Sequence, residues 1–162
     1  MPIKKITKIG LLIAISMIFS YIELLIPIMP SVPGVKIGLS NSVVLLILYS
    51  YGIGACLIFQ VTRLILQMLL FGNVFSLLYS LSGAAISLLI MYILKRIRFL
   101  DIPGVSMFGG VFHNLGQLFV AYIIVQNRFI FSYFPVLLIS GALCGYVIGL
   151  ISEILLKRKL ME

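Results

Sequence analysis

The sequence predicts an all-α protein: one integral membrane domain over residues 1–162, built as a polytopic bundle of six transmembrane helices with both termini cytoplasmic. Three observations predict it. The chain is 62% hydrophobic and 10% charged, whereas soluble domains are roughly 45–50% apolar and about 25% charged. Its apolar residues fall into six stretches, most of them near the roughly 17–25 residues that cross a hydrocarbon core. Its basic residues cluster where those stretches end: Lys4, Lys5 and Lys8; Lys95, Arg96 and Arg98; Lys157, Arg158 and Lys159. Six crossings place all three clusters on one side, and Lys and Arg are retained on the cytoplasmic side.

The elements follow in order. The first helix is predicted over Ile6–Leu25. Its lysine-rich start resembles that of a secretion signal, but Glu23 and Pro27 stand where a small-residue cleavage site belongs, so it reads as a retained span. The segment Pro27–Ile37, PIMPSVPGVKI, holds three prolines and a glycine. It is expected to be a stiff, non-helical outer loop and a candidate lid. The second helix, Gly38–Tyr51, is short for a span, and is expected to be tilted, partly re-entrant or shielded by neighbours. Gly54–Phe71, Phe75–Lys95, Ser106–Gln126 and Tyr133–Leu156 complete the set. With no Trp in the chain, an interfacial aromatic belt falls to tyrosines such as Tyr21, Tyr49 and Tyr51.

Composition narrows the function. The net charge of +8 comes from topology signals beside lipid headgroups rather than from a nucleic-acid surface. The connections are too short for a nucleotide-binding module and no phosphate-binding P-loop is present, so any ATP must be used by a partner. Cys56 and Cys144 lie in apolar stretches without metal-ligand spacing, and no metal site is expected. The 4 acidic residues are scattered. No nucleophile–base pair or carboxylate dyad stands out, and no cofactor attachment motif is present. Prenyl transfer with paired aspartate-rich motifs around magnesium does not suit a chain whose one aspartate is Asp101. No catalytic residue and no cofactor are therefore expected in this chain alone.

The most informative residue is Arg63, the one charge in GACLIFQVTRLILQMLLF. A charge at mid-membrane is costly and normally faces a protein interior, a water-filled cavity or a ligand. Gln60, Arg63 and Gln67 follow an i, i+3, i+7 spacing and share one helix face. His113, Asn114 and Gln117, in GGVFHNLGQL, form a second polar stripe, with Gly109, Gly110 and Gly116 lowering the bulk around it. At a rise of about 1.5 Å per residue, Gln60, Arg63 and Gln67 lie about 9, 14 and 20 Å from the cytoplasmic end, level with His113 and Gln117 at about 10 and 17 Å. If the two helices face each other, these side chains share one chamber. Each stripe has a plainer reading as an interhelical hydrogen-bond network. Glu23 lies about 12 Å above Arg63 by the same rise. It is expected at the outer mouth, anchoring the proline loop or meeting Lys36 or Asn41, rather than paired with Arg63. Gly141, Gly145 and Gly149 form a double G-x-x-x-G for helix packing, and Gly10 and Ala14 a small-residue pair suited to packing or to docking a partner subunit.

Three segments carry a family resemblance: PGVKIGLSNSVVLLILYSYG, RLILQMLLFG and SMFGGVFHNLGQL. Together they resemble the heptaprenyl diphosphate synthase component I family, also called the Gx transporter family. That family is similar to the S components of energy-coupling-factor transporters. The resemblance, from about Glu23 to Gly149, implies a six-helix fold that binds a small molecule near its outer side. It also implies a transmembrane coupling subunit, met by small residues of the first helix where Gly10 and Ala14 stand, and ATPases. The family's enzyme name implies help to a soluble prenyltransferase subunit.

Two functions are therefore expected. The first is a multi-pass plasma-membrane subunit of an uptake transporter that binds a small, anionic molecule. Gln60, Arg63, Gln67, His113, Asn114, Gln117, Glu23 and Asn41 would be its substrate-binding residues. The alternative is the non-catalytic membrane component of a heptaprenyl or polyprenyl diphosphate synthase in isoprenoid quinone biosynthesis.

Overall fold

A computed structural model describes residues 3–25, 38–98 and 100–158. The expected lid Pro27–Ile37, and Lys36 with it, lies outside the described residues, as does Lys159. Within them the protein is all-helical: α1 Ile3–Leu25, α2 Leu39–Phe71, α3 Val74–Ile97, α4 Ile102–Val125 and α5 Phe134–Lys157, with a short 3-10 helix at Arg128–Tyr133. Five helical segments are long and apolar enough to cross a membrane.

The expected second and third helices run on as one element, α2, making five long helices rather than six, but helical geometry is broken inside it. Gly52 sits inside it at φ 81°, ψ 179°, far from helical values. In a straight helix, residues 44 and 56 would be about 18 Å apart. Here the Cys56 thiol reaches the Val44 carbonyl at 3.5 Å. The two halves of α2, residues 39–51 and 53–71, therefore lie side by side. Glycine is required at the reversal because that φ/ψ region admits essentially no other residue.

Why the first half of α2 can be short is now plain. It is the central helix, with Val43, Val44, Leu45, Leu46, Ile47 and Leu48 all buried. A helix apolar on every side belongs inside a bundle. Its end is held by Lys95 of α3, which donates to the Leu48 carbonyl at 2.6 Å and lies over the Tyr49 ring. Lys5 of α1 lies over the Tyr51 ring, 5.3 Å from its centroid. The basic start of α1 and the basic end of α3 thus meet the end of this half-helix.

α3, α4 and α5 pack more closely. Glycines make this possible: a Cβ on Gly110 would overlap the Gly141 carbonyl, one on Gly145 would come 2.6 Å from the Ser106 carbonyl, and one on Gly149 2.5 Å from Pro103 Cα. Across α3 and α4, a Cβ on Gly116 would meet the Ser82 carbonyl at 2.8 Å. α4 begins at Ile102 rather than Ser106 because Asp101 caps it, accepting from the Gly104 amide at 2.9 Å, with Pro103 in the first turn. Beyond these contacts the outer surface is apolar. On the second half of α2, Leu57, Ile58, Val61, Ile65 and Leu69 are exposed, opposite the Gln60–Arg63–Gln67 stripe, as a lipid-facing helix requires.

Candidate functional site

A polar chamber lies between α2 and the α3–α4–α5 layer. Its atom-free volume, open mouth included, is about 920 Å³, and all five helices line it. The second half of α2 supplies Gln60, Arg63 and Gln67; α4 supplies His113, Asn114 and Gln117; α1 supplies Glu23, and the start of α2 supplies Asn41. The eight residues that the sequence nominated for binding therefore border one space. The chamber forms because α2 folds back at Gly52, bringing its start beside residues 60–67.

Arg63 is only 3% exposed, and its Nε and Nη1 have no hydrogen-bond partner. Gln60, one turn earlier, is 6% exposed, and its Oε1 has no partner. Leaving such groups buried and unmatched costs about 1–3 kcal/mol each, more for a charge. The chamber therefore holds a buried cation with two open donor nitrogens, one turn from an open acceptor.

Glu23 is 8% exposed. Its Oε1 accepts from the Leu39 amide, and its Oε2 accepts from the Ser40 hydroxyl at 3.4 Å. A carboxylate is well placed there, because the first amides of a helix have no intrahelical acceptor and carry partial positive charge. Glu23 thus ties the end of α1 to the start of α2 across residues 26–37. Asn41 lines the chamber close to this tie.

The α4 stripe is partly committed to packing. Asn114 donates from Nδ2 to the Leu137 carbonyl of α5 at 2.7 Å. A Cβ on Gly83 would stand 2.9 Å from Gln117 Cγ and 3.0 Å from His113 Cε1. Gly83 of α3 therefore lets both side chains lie between the helices. Gly10 and Ala14 lie on the exposed face of α1, and a Cβ on Gly10 would meet nothing within 4 Å.

Sequence reasoning missed the serines. Ser40, Ser80, Ser87 and Ser106 also line the chamber. The signal was present on α3, where Ser80, Ala84, Ser87 and Met91 recur at the spacing of one helix face. Among the described residues, no group of three or more His, Cys, Asp or Glu side chains is placed to hold a metal ion.

Comparison with curated proteins and with solved structures returns no match. Residues 12–155 match the family described as heptaprenyl diphosphate synthase component I. That match bears on the synthase component among the two expected functions and adds nothing to the transporter subunit. With all but the two ends of its sequence matched, the chain belongs to the heptaprenyl diphosphate synthase component I family.

Proposed function

We propose that this protein is the non-catalytic membrane component of a polyprenyl diphosphate synthase, and that its chamber holds a small anionic ligand against Arg63. Family membership supports the first part. One observation carries the second: a guanidinium 3% exposed, bordering a polar chamber, with two nitrogens unpartnered. Arginine stays protonated in proteins, so its charge calls for an anion.

The protein crosses the plasma membrane six times in this reading, with both termini in the cytoplasm. The reversal at Gly52 and the meeting of Lys5, Tyr51, Tyr49 and Lys95 at one end support that path. The basic face formed by the three clusters would dock a soluble, aspartate-rich catalytic subunit. Purification from native membranes under mild conditions should bring down such a subunit, whose prenyltransferase activity falls when this chain is deleted. Failure of both results would remove the synthase reading.

A second reading, the solute-binding subunit of an uptake transporter, is favoured by the chamber's lining. Side-chain amides and hydroxyls border it, which suits a small polar solute better than a long isoprenoid tail. Co-purification of a transmembrane coupling subunit and ATPases, in place of a prenyltransferase subunit, would select it.

A further inference from the structure

The charge balance of the chamber restricts its ligand further than the need for an anion does. Among the described lining residues, Arg63 is the one Lys or Arg and Glu23 the one carboxylate. The carboxylate is engaged with the start of α2 through the Leu39 amide and the Ser40 hydroxyl. The remaining ionisable lining groups are His113 and Cys144. Even a protonated His113 would leave this lining at a formal charge of only +1, from two cations and one anion.

A diphosphate carries more negative charge than the roughly −1.5 to −2 of one phosphate monoester. Inside a protein, charge left uncompensated is strongly disfavoured. A bound divalent cation would relieve it. Magnesium on a diphosphate is usually held by one or two carboxylates besides the phosphates, and the one carboxylate of the described lining, Glu23, is already engaged with the start of α2. With the Glu23 carboxylate taken up by the first groups of α2, one Arg63 guanidinium is left to match one monoanion and no more. Beside it, the unpartnered Gln60 Oε1 is a hydrogen-bond acceptor without a donor. Gln60 and Arg63 are three residues apart on one face of α2, so a single small molecule can meet both.

We infer that the Arg63 chamber takes a small monoanion, of the carboxylate class, that also carries an O–H or N–H donor for Gln60, and that it does not take a prenyl diphosphate. The inference rests on the reading of the chamber as a ligand site. It assigns the isoprenoid diphosphate to the partner subunit and gives this chain a different ligand.

Thermal unfolding of the full chain in lipid nanodiscs tests it. The probes are 2-hydroxy and amino monocarboxylic acids, their methyl esters, inorganic pyrophosphate and farnesyl diphosphate. At least one acid should stabilise the protein while its ester does not. Arg63→Met should abolish the effect, and Gln60→Leu should weaken binding of that acid by roughly tenfold or more, the size of one lost hydrogen bond. Arg63→Met keeps the side chain's bulk without its charge, so its fold can be verified separately by its own unfolding transition. Arg63-dependent stabilisation by pyrophosphate or farnesyl diphosphate would overturn the monoanion inference and leave an anion-binding chamber standing. If no probe acts through Arg63, both the inference and the ligand-site reading fall.

Discussion

Arg63 and Asn114 border the same chamber, yet their surroundings give them opposite roles. The Asn114 amide is already used, donating to the Leu137 carbonyl. Asn114→Leu should therefore lower stability by about 0.5–2 kcal/mol, the range for interhelical hydrogen bonds in membranes, as read from unfolding in mild detergent. Arg63 has a buried charge with two unpartnered nitrogens. Buried polar groups without hydrogen-bond partners are destabilising, by about 1–3 kcal/mol each, and Met removes two of them while keeping much of the bulk. Ligand-free Arg63→Met should accordingly unfold at the same temperature as the parent or higher. A marked loss of stability would mean that Arg63 serves the internal network after all. Arg63, Gln60 and Gln67 were legible in sequence because they are nearly the only polar groups on a greasy helix. The serines were not, because a helical serine commonly bonds its own preceding turn. Ser42, Ser82 and Ser140 do so here, each to the carbonyl three residues back. Only their spacing along one face, as on α3, hints at where such residues point.

At the scale of elements, glycine placement decides the architecture. Gly52 reverses α2 in a conformation closed to side chains, so Gly52→Ala should cost about 1–3 kcal/mol. Gly54→Ala provides the control: its added Cβ would meet nothing within 4 Å, and its stability should be close to that of the parent. Equal thermal denaturation curves for the two variants would contradict the reversal. Gly110→Val should be more damaging than either, because the side chain would run into the Gly141 backbone and part α4 from α5. Gel filtration of the detergent-solubilised variant should show an expanded or aggregated species. The approximate places of the helices were readable from hydropathy, with a gap between Tyr51 and Gly54 where Gly52 now breaks α2. The hold of Lys95 on Leu48 was not, since its partners are 47 residues apart. Nor was the role of Glu23 as a cap for α2, which depends on how α1 and α2 meet rather than on either alone.

For the whole molecule, the outer surface is apolar as well as the core, which fits lipid. Apolar side chains such as Leu57, Ile65, Leu69 and Leu143 cover the outside, while the polar residues turn inward around one chamber. The paired stripes on α2 and α4 were expected to share a depth, and both border that chamber. What depth counting lacked was adjacency, which the reversal of α2 and the glycine contacts of α3, α4 and α5 provide. If the chain crosses six times, cysteines placed at Lys5 and at Arg158 should label from the same, cytoplasmic side in sealed vesicles. Labelling from opposite sides would refute that topology. The central claim is that an anionic ligand meets Arg63 in the chamber. Native mass spectrometry of the protein released from native membranes, wild type beside Arg63→Met, tests it most directly. The account predicts a retained small molecule on the wild type, reduced at least tenfold on the variant while both remain folded. Equal retention on the two, or none on either, would contradict it.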